Sequence, residues 1–182
     1  MVAALLFAAI CLKHAGASTC VSRDVIADVG QQLLDRVFLT DTRDLEQAAF
    51  LTAKPDGSVG CVLWPATSER EASTFHGEPP PDTIAVVHTH PREWLDPSAQ
   101  DSLLSKRLDM SVVVVTHGFI VDVDPAGAVS RRTLYGKPTP DAPVCRPLNR
   151  DAFPIARVPQ HPHDLPILHL REVDVPVSDG LE

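Results

Sequence analysis

The chain has 182 residues, of which 44% are hydrophobic and 22% charged, and 16 basic residues against 24 acidic ones give a formal net charge of −8. This length suits a single domain, and the apolar content is that of a globular protein rather than a disordered one. An acidic balance without a block of Lys or Arg argues against nucleic acid as the main partner.

The first segment of the chain has the features of a secretory signal. Residues 2–12 are all apolar; a run of this length is too short to span a bilayer, which needs about 20 residues, but it matches the apolar region of a signal peptide. Residues 15–17, Ala-Gly-Ala, supply a small-residue cleavage site. We therefore predict a signal peptide over residues 1–17, no stable membrane span, and export to the periplasm or secretion. The alternatives are an amphipathic first helix, a misassigned start, and a cytoplasmic location.

The cysteines do not settle the compartment. Removal of residues 1–17 would take away Cys11 and leave Cys20, Cys61 and Cys145. One disulfide with one free thiol is then possible, as is no disulfide. No Cys-x-x-Cys pair occurs in the sequence, which argues against a zinc site built from thiolates.

The middle of the chain begins with a predicted helix and a predicted hairpin. Apolar residues recur at helical spacing over residues 24–38. Residues 46–52 and 58–64 predict two strands. The Lys-Pro-Asp-Gly sequence at 54–57 predicts the turn between them, because Pro presets φ and Gly accepts a positive one. A polar stretch that ends in three prolines at 79–81 then predicts a loop.

Four strands and one helix follow. Residues 83–90 predict a nearly continuous apolar strand that ends in two histidines, and residues 98–108 predict a helix. Residues 111–116 are rich in β-branched side chains and predict another strand. Residues 119–123 and 129–131 predict two more, separated by turns. Together the elements predict an α/β fold in which helices flank a mixed sheet.

The C-terminal part of the chain differs from the rest in its proline content. Residues 138–182 hold nine of the 17 prolines. Proline blocks helix interiors and central strands, so this part predicts an extended wrap or a loose tail. We therefore predict a compact domain over residues 22–135, which holds the candidate catalytic residues described below, and a proline-rich extension over residues 136–182.

His88 and His90 are the strongest candidates for metal ligands. They lie two residues apart on a predicted strand, so both side chains project from the same face and can converge on one ion. Asp101, in the first turn of the next predicted helix, can supply a third ligand through oxygen. Three protein ligands leave a position for water, which is typical of catalytic zinc, and zinc lowers the pKa of such a water toward 7. The pattern predicts one Zn²⁺ per chain.

Two further residues complete a predicted hydrolytic site. Amide hydrolysis needs a base that takes the water proton, and Glu46 is the candidate because it opens a strand that can lie beside the histidine strand. The reaction also needs a donor to the oxyanion, and Ser98, three residues before Asp101, can supply one. Three other acids that precede the histidines lie in the polar stretch and are interpreted as solvated charges: Glu69, Glu71 and Glu78.

The motif is an upstream Glu followed by His-x-His-x7-Ser-x2-Asp, with a proline after the second histidine. Over roughly Val25 to Arg131 the chain resembles the JAMM (JAB/MPN-type) zinc metallopeptidase family, and in particular its bacterial-type members. The resemblance implies a JAB/MPN-like (cytidine-deaminase-like) fold and hydrolysis of an amide bond in a protein or peptide substrate. It implies that His88, His90 and Asp101 are the zinc ligands. It also implies that Glu46 is the general acid/base and that Ser98 stabilises the oxyanion.

Other interpretations of the same residues stay open. Ser98 and Asp101 also form an ordinary Ser-x-x-Asp helix start, close to a capping box. Two histidines at a strand end are also typical of polar residues at a sheet edge. The alternative function is a non-catalytic JAB/MPN-fold module that binds protein. The substrate, the choice between peptidase and isopeptidase, and the oligomeric state do not follow from the sequence.

Overall fold

A computed structural model describes residues 9–39, 45–65, 72–90, 96–116, 118–133, 143–148 and 167–171. In chain order the elements are β1 (Ala9–His14), β2 (Ala17–Ser22), α1 (Arg23–Leu39), β3 (Ala48–Ala53), β4 (Val59–Leu63), β5 (Ala72–His76), β6 (Thr83–Thr89), α2 (Ala99–Leu108), β7 (Ser111–Val115), β8 (Phe119–Val123), β9 (Val129–Thr133), β10 (Arg146–Pro147) and β11 (Ile167–Arg171). Seven strands form one mixed sheet in the order β10-β4-β3-β6-β7-β8-β9, and β1-β2 and β11-β5 form two small sheets. The predicted α/β class with a mixed sheet and two helices is confirmed.

β6 and β7 lie at the centre of the large sheet and run parallel. Every residue of both strands is buried, as expected for strands that are covered on both faces. The continuous apolar and β-branched runs that predicted these strands reflect that double burial. The chain passes from β6 to β7 through α2, because adjacent parallel strands need a crossover connection.

α1 covers one face of the sheet, here called the α1 face. The helix begins after Ser22, whose hydroxyl accepts a hydrogen bond from the N–H of Asp24. Its apolar positions pack with alternate residues of the strands in one buried cluster, which includes Ile26, Val29, Leu33, Leu34, Leu51, Val87, Val113 and Val115. A Cβ on Gly30 would lie 2.6 Å from Cγ1 of Val115, so the glycine allows the helix to approach β7 closely.

The hairpin formed by β1 and β2 adds to the same cluster. Its turn consists of Ala15 and Gly16, both with positive φ, and Ile10 and Leu12 of β1 are almost completely buried. The predicted signal peptide overlaps this hairpin, so cleavage after residue 17 would remove β1. Residues 1–8 lie outside the described ranges, and the signal peptide stays a prediction.

The opposite face, here called the α2 face, is covered by α2. Ser98 is the N-cap of this helix, and Asp109 ends it in a left-handed conformation with φ of 50°. A second buried cluster fills this side and consists of Ala48, Phe50, Trp64, Phe75, Val86, Leu104, Met110 and Val112. The helix predicted over residues 98–108 is confirmed.

β3 and β4 form the predicted hairpin, with hydrogen bonds that join Lys54, Gly57 and Ser58 across its turn. The prediction of a loop after this hairpin is wrong for Ala72–His76, which form β5. The partner of β5 is β11, about 90 residues further along the chain. Short polar strands of this kind depend on such distant pairing, which local patterns do not report.

The described parts of the C-terminal segment are attached to the domain. β10 pairs in parallel with β4, and Cys145 forms a disulfide with Cys61 of β4. β11 pairs antiparallel with β5. The rest of the predicted extension, residues 136–142, 149–166 and 172–182, lies outside the described ranges, so the domain boundary at residue 135 stays a prediction.

All four cysteines are paired, as Cys11–Cys20 across the first hairpin and as Cys61–Cys145. The expectation of at most one disulfide is wrong, because Cys11, which cleavage after residue 17 would remove, is paired with Cys20. Two disulfides are typical of proteins that fold in an oxidising compartment. Of the helices in the described ranges, none has the length and apolar character needed to cross a membrane.

Candidate metal centre

The candidate site lies where β6 ends. β3 and β6 pair antiparallel, with Ala48 opposite His88, and a hydrogen bond from Thr89 N–H to the carbonyl of Gln47 continues the pairing. Residues two apart on a strand share a face. Glu46 therefore comes opposite His90, on the α2 face, as the sequence analysis expected.

The start of α2 brings two more polar side chains to this place. The hydroxyl of Ser98 accepts a hydrogen bond of 3.1 Å from Asp101 N–H. In return, Asp101 Oδ2 accepts hydrogen bonds from the N–H and the hydroxyl of Ser98, at 2.7 and 2.9 Å. This complete capping box confirms the helix-start interpretation of the two residues. It occupies Oδ2 of Asp101 and leaves Oδ1 directed elsewhere.

The carboxylates and imidazoles converge in one cluster. Asp101 Oδ1 lies 3.0 Å from His88 Nε2, and Asp101 Oδ2 lies 3.6 Å from His90 Nε2. Glu46 Oε2 lies 3.7 Å from His88 Nδ1. One ligand atom each from Glu46, His88 and His90 lie within 4.8 Å of one another, and this buried group could hold a metal ion.

Burial and missing hydrogen bonds distinguish this cluster from the surrounding core. Glu46, His88, His90 and Asp101 are between 0% and 4% exposed. Glu46 Oε2, both ring nitrogens of His88 and Asp101 Oδ1 have no hydrogen-bond partner. A buried polar atom without a partner costs about 1–3 kcal/mol. Four such atoms in one buried cluster are compatible with a ligand as their partner.

The cluster perturbs its own ionisation. Burial by itself lowers the pKa of His88, but the negative charges of Asp101 and Glu46 outweigh it and raise this pKa to about 10. Burial acts on Asp101 in the opposite sense, and attraction to the two histidines holds the pKa of this carboxyl well below its usual range. Without a cation the site therefore favours a protonated His88 beside an ionised Asp101, and a bound metal ion would supply that positive charge instead.

The donor atoms of the cluster are of the kind that zinc binds. Two ligand atoms in a tetrahedral site with bonds of about 2.1 Å are about 3.4 Å apart. Asp101 approaches the two histidine Nε2 atoms at similar distances but with different oxygens, Oδ1 at 3.0 Å from His88 and Oδ2 at 3.6 Å from His90. The 3.0 Å contact to His88 does not have the direction of a hydrogen bond. Two imidazoles and a carboxylate are also a ligand set that zinc accepts.

The two carboxylates approach opposite edges of the His88 ring. Asp101 lies at Nε2, and Glu46 lies at Nδ1. A metal ion bound through one ring nitrogen therefore has one of these acids beside it and the other on the second nitrogen, where it can orient the ring. Either acid can serve as the third ligand. If one of them binds the ion, the other is left at the second ring nitrogen of His88.

Sequence reasoning missed two residues that shape the site. Ala48 lies directly opposite His88, and its single methyl group leaves room beside the imidazole. Thr89 lies between the histidines and accepts a hydrogen bond from the backbone of Gln47. In the sequence, these two residues could have been noticed as the small residue two positions after Glu46 and as the hydroxyl residue between the two histidines.

The other acids do not compete with Glu46 for a place in the cluster among the residues that the structure describes. Glu78 is exposed, as expected of a solvated charge. Glu69 and Glu71 lie outside the described ranges.

Comparisons of the chain with models of known protein families, with curated proteins and with solved structures each gave no match.

Proposed function

We propose that the protein is a zinc-dependent metallopeptidase or isopeptidase of the JAMM type, with a JAB/MPN-like fold. The observation that carries the proposal is the buried cluster of Glu46, His88, His90 and Asp101, which contains four polar atoms without a hydrogen-bond partner. The sequence motif supports the same set. The two disulfides support an exported location. The proposed substrate is a protein or a peptide, because the JAMM type hydrolyses amide bonds.

In this proposal His88, His90 and Asp101 hold one Zn²⁺. The ion would supply Lewis-acid activation of a water molecule at neutral pH. Glu46 would take up a proton from that water and pass it to the leaving amine, since its carboxylate is buried and a ligand atom of it lies within 4.8 Å of one ring nitrogen each of His88 and His90.

Ser98 stabilises the oxyanion that develops on the scissile carbonyl. It is the one proposed site residue that is only half-buried, so it borders the side from which a substrate can approach. Its hydroxyl proton is directed at Asp101 Oδ2. The hydroxyl must therefore turn this proton toward the substrate, which a serine side chain does by rotation about one bond.

Metal content tests the proposal most directly. The purified protein is expected to hold about one zinc per chain, and His88→Ala is expected to hold none, because the site loses its central ligand. His14→Ala is the matched control, since His14 lies in the first hairpin and outside the cluster. A wild-type protein that holds no zinc after loading and desalting contradicts the proposal.

The roles of the two acids are separated by two conservative variants. If Asp101 is the ligand and Glu46 the base, the affinity of Asp101→Asn for zinc is expected to fall by about 10-fold or more. Changes to residues around a bound metal ion have effects of about this size. Glu46→Gln then keeps the metal and loses cleavage of a quenched fluorescent peptide library. The reverse pattern of zinc loss would make Glu46 the third ligand and refute its role as base.

One observation favours a second function, a non-catalytic module with a structural metal. The four cluster residues are enclosed as fully as the ligands of a closed structural site. This function predicts tight zinc binding, no cleavage of any peptide in the library, and the same binding of protein partners by wild type and Glu46→Gln.

A further inference from the structure

Thr89 separates the two histidines in the chain but does not belong to the cluster. Successive residues of a strand point to opposite faces, so its side chain lies on the α1 face, where it is 0% exposed. Its hydroxyl oxygen accepts a hydrogen bond of 3.0 Å from the N–H of Gln47. Its own N–H donates to the carbonyl of Gln47 at 2.9 Å. Both bonds hold the residue that directly follows Glu46.

The first of these bonds departs from regular strand pairing. In a hydrogen-bonded antiparallel pair, the two facing residues exchange N–H to carbonyl bonds in both directions. Here the hydroxyl of Thr89 takes the place of one carbonyl acceptor. β3 begins as a regular strand only at Ala48. The hydroxyl therefore extends the pairing by one step, to the backbone of Gln47.

This extension bears on Glu46 because its carboxylate is buried and Oε2 has no hydrogen-bond partner. The position of that oxygen, 3.7 Å from His88 Nδ1, depends on where the backbone places the side chain. On the basis of the function proposed above, we propose that Thr89 is a positioning residue. Its hydroxyl fixes the backbone of Gln47 and thereby holds the Glu46 carboxylate beside His88.

Packing alone does not explain a hydroxyl at this position. Valine has nearly the same shape as threonine and is equally suited to a buried strand. The neighbouring positions on the same face of β6 and β7 are in fact valine, Val87 and Val115. A threonine here places a polar group on an aliphatic face, and the structure shows one use for it, the bond to Gln47.

The matched control is provided by the other end of the same strand. Thr83 is also buried, and its hydroxyl also hydrogen-bonds to backbone, donating to the carbonyl of Pro80 at 2.6 Å. Thr83→Val removes the same group from β6 at a distance from the site. Thr89→Val and Thr89→Ala both remove the hydroxyl near the site but differ in volume, and Thr89→Ser keeps it.

The first measurement is amide hydrogen exchange of Gln47 in the metal-free protein. We expect its exchange to rise about 10-fold or more in both Thr89→Val and Thr89→Ala, because the N–H loses its acceptor. Exchange in Thr89→Ser and Thr83→Val is expected to stay within about threefold of wild type. A change seen in the alanine variant alone reports lost volume and overturns the proposal.

The second measurement is the visible absorption spectrum of the Co²⁺-loaded protein, which reports the surroundings of the metal. Glu46→Gln sets the reference for a displaced or neutralised carboxylate. Thr89→Val is expected to shift the spectrum in the same direction as Glu46→Gln, with a Co²⁺ dissociation constant within about threefold of that variant. Thr89→Ser and Thr83→Val are expected to match wild type.

The results separate this inference from the proposed function. A protein that binds neither Co²⁺ nor Zn²⁺ overturns the proposed function, and the exchange measurement then still decides whether the hydroxyl holds Gln47. A Glu46→Gln spectrum identical to wild type removes Glu46 from the metal centre, which also overturns the positioning role. A Thr89→Val spectrum identical to wild type, while Glu46→Gln differs, overturns the positioning role alone.

Discussion

Polar groups are treated differently on the two faces of the large sheet. On the α1 face, Thr89 and Ser111 use their hydroxyls as acceptors for backbone N–H groups of Gln47 and Lys13. On the α2 face, at the end of β6, four polar atoms of Glu46, His88 and Asp101 lack hydrogen bonds. Equally buried polar groups thus fall into two kinds. Some hydrogen-bond to the backbone, and others have no hydrogen-bond partner in the described part of the chain. The second kind includes the group that could hold a metal ion.

The largest expected effect concerns the covalent link beside the α1 face. Cys61→Ser/Cys145→Ser removes a disulfide between residues 84 apart in sequence, and the chain-entropy model gives a loss of about 4–5 kcal/mol in unfolding free energy. Cys11→Ser/Cys20→Ser opens a link over only 9 residues and is expected to cost about 2–3 kcal/mol. Urea denaturation measures both losses. Equal losses would contradict the dependence on loop length.

The next effect concerns the α2 face and its unsatisfied atoms. Zinc at 100 times its dissociation constant is expected to stabilise the protein by about 2.7 kcal/mol, which corresponds to a rise in Tm of about 5–10 °C for a chain of this size. His88→Ala is expected to show no rise with zinc. If the Tm of the wild type does not respond to zinc, the unpartnered atoms on the α2 face do not bind this ion, and the proposed difference between the two faces is wrong.

A smaller effect is expected where α1 meets β7. Gly30→Ala places a Cβ against both γ carbons of Val115, at 2.6 and 3.0 Å, and overpacking of this kind costs about 1–3 kcal/mol. Gln31→Ala on the exposed side of the same helix is the control and is expected to change stability little. In a double-mutant cycle with Val115→Ala, the two changes should couple favourably. Additive losses would exclude the contact as the cause.

The smallest effect concerns Asp122, an exception on the α1 face because its Oδ1 is buried without a partner. Burial raises the pKa of this carboxyl to about 6, against a hydrogen bond from Ser111, and Asp124, Arg132 and Lys13 also act on it. The native state therefore takes up a proton as pH falls through about 6, whereas the unfolded chain does so near 4. The contribution of Asp122 to stability thus rises as pH falls from about 6 to about 4, and it is lowest above pH 6.

Asp122→Asn is accordingly expected to be more stable than wild type at pH 7.5, by about 1 kcal/mol, because the amide carries no charge to bury. At pH 4.5 the difference should shrink or change sign. Urea denaturation at both pH values checks this. A difference that does not vary with pH would show that the carboxyl does not titrate in this range.

The sequence was sufficient to predict the elements whose residue pattern is set within the element itself. β6 and β7 are apolar at nearly every position because they are covered on both faces, and α1 repeats its apolar residues at helical spacing. The Pro-Asp-Gly turn of the β3–β4 hairpin is determined within a few residues. The two histidines lie at the end of one strand, and Ser98 and Asp101 lie at the start of the next helix. Their spacing in the sequence was therefore enough to predict that they lie close together.

The elements that were missed depend on distant partners. β5 is short and polar, and it exists because β11 pairs with it. The apolar residues of β1 are equally typical of a signal peptide, and only their packing in the α1-face cluster distinguishes a strand. The pairing of Cys61 with Cys145 required the return of the chain to β4. The support that Thr89 gives to Gln47 required the register between β3 and β6.

The capping box of α2 gives the Asp101 carboxylate two separate tasks. Through Oδ2 it closes the helix start by accepting hydrogen bonds from the N–H and the hydroxyl of Ser98. Through Oδ1 it lies 3.0 Å from His88 Nε2. In the proposed centre the helix start therefore determines where this oxygen stands relative to the histidine, and a change at Ser98 would move Asp101 as well as remove a hydroxyl.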